Sequence, residues 1–336
     1  MKPVIGITMG DFNGIGPEIA LKAVRSRQVR EKCDPVLIGS IDAFAWYARH
    51  LRMNVTFRET EEVQHIHSGK TIPVINIRKF HTPIIHPGKI SGETGSFAGD
   101  SIAAAVALCS SGALDAMVTS PVSKKAMDLG GFHYPGQTEM LLKWSKSKRV
   151  LMILLSGTFR VGLVTVHVPI TSVPRELTRE KILEKLSTLH DSLKVDFAIK
   201  KPRIAVLGLN PHAGEDGLIG TEETRIILPA LRTAHRKGIP VDGPFPADGF
   251  FGVQGHRQYD AILAMYHDQG LIPLKMEGFE TGVNYSAGLR IVRTSPDHGT
   301  AFDIAGKGIA NEQSMISAIL LAVTIAKNRK SKERHG

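Results

Sequence analysis

The chain is expected to fold as an α/β protein with mainly parallel sheets. Three observations carry that expectation. Short runs rich in Val, Ile and Leu alternate with amphipathic runs of helical period along nearly all of the 336 residues. Gly, Pro, Asn and Asp punctuate the junctions between them. The length, at roughly 150 residues per domain, suggests about two domains, yet no shift of composition marks a linker. The two are therefore expected to be interleaved, residues 1–140 with 290–336 forming one and 141–289 the other.

Residues 4–8 predict a first strand and 17–24 a first helix, with Pro17 suited to an opening helical position. Residues 35–38 read as a strand, 41–51 as a helix and 72–77 as a strand. A loop rich in Pro, His and Gly over 79–94 leads to an alanine-rich helix at 96–109, against which something must pack closely. Residues 116–119 form a strand ended by Ser120-Pro121. In the middle, 150–155 and 161–167 flank Ser156-Gly157-Thr158-Phe159 and predict an antiparallel hairpin. A helix over 178–193 starts at Thr178, a good N-cap. Residues 203–209 are a strand, 222–237 a helix, 261–266 and 291–294 strands, and 314–327 the closing helix. The basic stretch from Lys327 to Arg334 reads as a frayed, solvated tail.

Composition narrows the classes. Lys and Arg number 42 against 32 Asp and Glu, a net charge of +10 that invites a nucleic-acid reading. Aromatics are only 6% and mostly lie away from the basic clusters at 22–32, 143–149 and 327–334. No helix-turn-helix or RNA-binding signature accompanies them, so nucleic acid is not the expected partner. Cys33 and Cys109 stand far apart, without a CxxC, so no disulfide framework or zinc finger is expected. Asp11 arrives too soon for a signal-peptide apolar region, and the apolar stretch 318–326 is about half a membrane span. A cytoplasmic protein without membrane contact is the expectation.

Gly10-Asp11-Phe12-Asn13-Gly14-Ile15-Gly16-Pro17-Glu18 joins the first strand to the first helix, a turn that could receive an anion or simply be tight. It is not a dinucleotide fingerprint, because Ile19 stands where the third glycine belongs and Asp34 precedes the second strand instead of ending it. Three histidines share a more telling context: His167, His212 and His267 each close or follow an apolar strand run and sit beside Pro, Gly or a carboxylate. Ligand sites of open α/β sheets lie beyond the C-terminal ends of strands. Three imidazoles there would leave an open position on a divalent ion, which could polarise a substrate hydroxyl. A single such histidine is more often a hydrogen-bonded structural residue; the repetition is what points to a ligand set. Glu215 and Asp268 are then orienting or turn residues. HExxH, GxSxG and GxxxxGK[ST] are absent. Thr119-Ser120-Pro121-Val122-Ser123-Lys124, Gly136-Gln137-Thr138-Glu139, the trio Lys275, Asn284 and Arg293, and Asp297-His298-Gly299-Thr300-Ala301 offer hydroxyls, amides and cations suited to an anionic substrate.

These same strings, with Asn210-Pro211-His212-Ala213-Gly214-Glu215 and the run from Tyr266 to Lys275, resemble the 4-hydroxythreonine-4-phosphate dehydrogenase family of pyridoxal phosphate biosynthesis. The resemblance spans nearly the whole chain. It implies a two-domain fold like that of isocitrate and isopropylmalate dehydrogenases, with an active-site cleft between domains. It implies NAD- or NADP-dependent, metal-assisted oxidation and decarboxylation of 4-phosphooxy-L-threonine to 3-amino-2-oxopropyl phosphate. The metal, Zn²⁺, Mg²⁺ or Co²⁺, would be held by His167, His212 and His267, with His267 supplied by the partner of a homodimer. Gln137, Thr138, Lys275, Asn284 and Arg293 match substrate positions. Asp248 and Asp268, with Lys275, are the candidates for acid–base or supporting roles. The family commonly has His where this chain has Gln137, which can hydrogen-bond but not titrate near neutrality. That departure keeps a paralogue acting on D-threonate or D-erythronate 4-phosphate in view.

Overall fold

The strands in chain order are β1 (Val4–Thr8), β2 (Asp34–Gly39), β3 (Thr56–Glu59), β4 (Thr71–Asn76), β5 (Ala116–Val118), β6 (Leu151–Ser156), β7 (Phe159–Leu163), β8 (Ile204–Leu207), β9 (Val241–Phe245), β10 (Ala261–Ala264), β11 (Val283–Ala287) and β12 (Arg293–Pro296). The structure is a computed structural model and describes residues 2–61, 71–77, 85–134 and 136–335. The chain divides into two compact units, Met1–Ser147 with Leu289–Lys330 and Lys148–Gly288 with Ser331–Gly336. The fold is mixed α/β with mostly parallel strands, as the alternating pattern predicts.

In the first unit the strand order is β3-β4-β2-β1-β5-β12, parallel throughout. β2 is buried along its whole length and β1 nearly so. Their continuous apolar runs are the signature of strands covered on both faces. The alanine-rich helix, Gly92–Ser110, is capped by Ser91, whose Oγ accepts from the Thr94 N–H at 3.2 Å. Its close neighbour is the helix Lys124–Leu129: a Cβ on Gly95 would lie 1.8 Å from the Ala126 carbonyl oxygen. Part of the loop expected at 79–94 lies outside the described residues, and the helix begins within its last residues.

Several expectations need correcting. The strand expected at 291–294 is Arg293–Pro296. The helix expected at 222–237 opens as a π-helical turn, Glu223–Ile227, before the α-helix Leu228–Arg236. Pro229 has no N–H to return to the Arg225 carbonyl, so the regular ladder cannot start earlier. The tail is not frayed: the closing helix runs Gln313–His335. Arg329 donates to the carbonyls of Leu289 and Arg290 at 3.1 and 3.3 Å, and Lys330 pairs with Asp115. No helix among the described residues is long and apolar enough to cross a membrane.

In the second unit the order is β11-β6-β7-β10-β8-β9. β6 and β7 form the expected hairpin, with Gly157 at φ +57° in the turn. β11 runs antiparallel to β6. β7, β10, β8 and β9 are parallel neighbours. Leu154, Val161, Leu163, Ala205, Leu207, Ile262 and Ala264 form the core with Leu271 and Leu274 from the helix His267–Gly278.

Candidate active site

Because β7, β10 and β8 are adjacent and parallel, their C-terminal ends leave the second unit's sheet at one edge. His167 follows β7, His267 follows β10 and His212 follows β8. Sheet order thus gathers three loops that are far apart in sequence.

The strand expected to reach His167 stops at Leu163. Beyond it the Thr165 N–H and hydroxyl both turn to the Met265 carbonyl, at 3.2 and 2.7 Å, and His167 is left exposed on a bend. His267 opens the helix His267–Gly278. Its Nδ1 lies 2.7 Å from Asp268 Oδ1, which leaves Nε2 to face a ligand. Asp268 is itself 71% exposed. The His167 and His267 ring centroids are 5.9 Å apart within one chain. Imidazoles, one of them backed by a carboxylate, are a donor type that suits a zinc- or cobalt-like ion. Among the described residues, however, no three His, Cys, Asp or Glu side chains of one chain form a metal-holding group. His212 does not complete a set with the other two inside a single copy.

His212 sits in unusual backbone. His212, Ala213, Gly214, Glu215 and Asp216 all have positive φ, between 42° and 81°. Left-handed backbone costs a non-glycine residue about 1–2 kcal/mol, and such strain clusters at functional sites. Glu223 holds the entry to this turn. Its buried carboxylate accepts from the N–H groups of Leu209 and Asn210, both at 2.7 Å, and from Asn210 Nδ2 at 2.9 Å. Asn210 Nδ2 also donates to Glu222 at 2.8 Å, the main reason that carboxyl sits below its ordinary pKa. Asp248 lies exposed after the end of β9, on the helix Ala247–Gly252, which packs against Pro211–Gly217.

Lys275 and Asn284 lie elsewhere in this unit. Asn284 shares a row across the sheet with Leu154, Val161, Ile262 and Ala205, well before the histidine-bearing ends. Its Oδ1 is buried with no hydrogen-bond partner among the described residues. Lys275 is eight residues along the helix from His267, about 12 Å at 1.5 Å per residue. Its Nζ lies 5.8 Å from the Phe279 ring centroid.

The first unit brings the remaining candidates together. Arg293, 2% exposed, donates through Nε and Nη2 to Thr119 Oγ1 at 3.0 and 2.6 Å, and through Nη2 to Gln137 Oε1 at 3.0 Å. Burial pushes its pKa down to about 10, so it stays a cation at neutral pH. Gln137 and Thr138 open the helix Gln137–Trp144. The glycine-rich turn packs on the Thr119–Lys124 loop: Asp11 N–H donates to the Pro121 carbonyl at 3.0 Å, and a Cβ on Gly10, at φ +71°, would sit 2.5 Å from that oxygen. Burial raises the Asp11 carboxyl above its ordinary pKa.

Sequence reasoning overlooked Thr165, Glu223 and Gln269. Nothing in their spacing announces them; each reads as an ordinary polar residue until the fold buries it.

Comparison with known proteins places the chain. Residues 31–322 match the family model described as pyridoxal phosphate biosynthetic protein PdxA. A 4-hydroxythreonine-4-phosphate dehydrogenase of Bacteroides thetaiotaomicron is 42% identical, over 97% of this chain and 89% of the relative. A D-threonate 4-phosphate dehydrogenase of Cupriavidus necator is 40% identical, over 97% of this chain and 98% of the relative. The crystal structure of 4-hydroxythreonine-4-phosphate dehydrogenase from Klebsiella pneumoniae superimposes with a TM-score of 0.87 at 38% identity, covering 97% of this chain and 98% of that one. The chain belongs to the PdxA family of pyridoxal phosphate biosynthetic proteins.

Proposed function

We propose that this dehydrogenase oxidises the C3 hydroxyl of 4-phosphooxy-L-threonine with NAD and releases CO₂, leaving 3-amino-2-oxopropyl phosphate. The observation that carries the reading is the set of three histidines at one sheet edge, in a chain that elsewhere buries an arginine. A divalent ion on His167, His212 and His267 would make the hydroxyl more acidic, and a nicotinamide would take the hydride.

The chain's own groups do the rest. Asp268 holds His267 Nδ1 and so fixes the ring. Asp248, on the helix that packs against the His212 turn, would receive the hydroxyl proton. Arg293 and Lys275 neutralise the substrate's phosphate and carboxylate. Gln137 spends its oxygen on Arg293 and keeps an NH₂ that donates without titrating; Thr138 and Asn284 would add polar contacts.

The reading includes a homodimer. Among the described residues one chain holds no three-ligand group, and its Lys275 and Asn284 lie away from the histidine edge. Both observations support a centre completed by a second copy, with His212 and His267 contributed by different subunits.

The test is NAD and NADP reduction with 4-phosphooxy-L-threonine, with and without a chelator. NAD reduction that falls about a thousandfold on chelation supports the reading; full activity in chelator overturns the role of the ion. D-Threonate or D-erythronate 4-phosphate belongs in the same panel. Gln137 and the likeness to a D-threonate 4-phosphate dehydrogenase favour that second substrate class.

A further inference from the structure

The three histidine loops are tied to one another by a single buried carboxamide. Gln269 is 8% exposed. Its Oε1 accepts the Met265 N–H at 2.7 Å, and its Nε2 donates to the Gly208 carbonyl at 2.5 Å. The other side of Met265 is also engaged, because its carbonyl receives the N–H and hydroxyl of Thr165. Thr165 leads directly to His167, Met265 to His267 and Gly208 to His212. The path Thr165–Met265–Gln269–Gly208 therefore crosses all three strand ends, β7, β10 and β8, just below the histidines.

We propose that Gln269 is a positioning residue that fixes the three histidine-bearing strand ends of a subunit relative to one another, and so sets how that subunit presents its histidines to the two shared centres and how tightly those centres bind an ion. This rests on the reading of those histidines as ion ligands. The competing account is local. Gln269 is the third residue of the helix His267–Gly278, where a Gln or Glu side chain commonly reaches back to cap an N–H. A regular cap of this kind ends on the N-cap, Tyr266; here the reach-back ends one residue earlier, on Met265, and it does not account for the bond to Gly208. The latter needs an N–H donor directed at another strand end, which a carboxylate lacks. Gln269→Glu separates the accounts: it keeps the acceptor for Met265 and sets a negative oxygen against the Gly208 carbonyl.

The experiment titrates Co²⁺ into the chelator-stripped full-length protein and follows its visible absorption band, the calorimetric Kd and circular dichroism. His212→Ala is the control on the underlying reading. If it binds Co²⁺ with the wild-type band, the three-histidine site is wrong, whatever Gln269 does. With that control lost, Gln269→Glu is expected to weaken Co²⁺ binding about 10–100-fold and alter the band while the fold is retained. Wild-type affinity and band in a folded Gln269→Glu protein overturn the proposal and leave only the cap. Should Gln269→Glu not fold, Thr165→Val decides. Removing the hydroxyl is expected to weaken binding in the same direction and Thr165→Ser to restore it; equal affinity in Thr165→Val and wild type refutes the tie.

Discussion

The two units hold their polar residues in opposite ways. In the first, Arg293 is buried and its donors already rest on Thr119 and Gln137. In the second, His167 and His212 are exposed, His267 is half-exposed, and His212 rides a left-handed turn. One arrangement is a cation desolvated on folding and fixed by internal partners. The other is a set of exposed imidazoles, one of them carried on a left-handed stretch of backbone. The difference teaches that the units are organised at different depths: in one the polar side chain itself is fixed by burial, whereas in the other the order lies in the hydrogen bonds beneath exposed loops.

The largest expected effect comes from emptying the exposed side. His212→Ala should lower kcat/KM by at least about a thousandfold, since an ion that stabilises developing charge contributes several kcal/mol. Steady-state kinetics with added metal checks it; a loss under tenfold would separate His212 from the ion.

The preformed side should respond differently. Arg293→Lys keeps a charge but cannot serve Thr119 and Gln137 together through one planar fork. A loss of about a hundredfold, mainly in KM, is expected. The pH dependence follows from the same residue: with its pKa near 10, Arg293 remains protonated and its contribution to affinity stays flat from pH 7 to 9. As pH rises through about 10 the charge, and the anion affinity with it, is lost. A KM profile that changes steeply near pH 7.5 in wild type but not in Arg293→Lys would contradict this.

Smaller still is the effect of relaxing the strained turn. A Cβ at Gly214, where φ is +81°, would lie 2.6 Å from Glu223 Oε2. Gly214→Ala should cost about 1–3 kcal/mol of stability, read as a lower Tm in a thermal melt. An unchanged Tm would mean the turn is not held as described. Gln137→His should move kcat/KM less than about tenfold and act mostly on the ratio between 4-phosphooxy-L-threonine and D-threonate 4-phosphate.

Much of this was legible in the sequence, for physical reasons. Strands buried on both faces read as unbroken apolar runs, so β1, β2, β8 and β10 announced themselves. The histidines were visible because each follows such a run. Their grouping was not, because it depends on the spatial order β7-β10-β8, which departs from chain order. The helix His267–Gly278 was hidden by Pro273 and by weak amphipathicity. The closing helix was cut short because its basic end looks like a solvated tail, whereas Arg329 and Lys330 find fixed partners. The left-handed turn at His212 was invisible because only Gly214, of its five residues, prefers that backbone, and the Glu223 carboxylate that fixes its entry at Leu209 and Asn210 comes from the following helical segment. Bracing residues such as Glu223 and Gln269 are defined by what they touch, which composition does not encode.

The most direct test is subunit complementation. His212→Ala and His267→Ala proteins, each inactive alone, are mixed, dissociated and reassociated. If the two histidines of a centre come from different copies, mixed dimers regain one intact site, and NAD reduction and Co²⁺ binding return together. If every mixture stays inactive while a wild-type control regains activity after the same treatment, His212 and His267 belong to one chain and the shared centre is refuted.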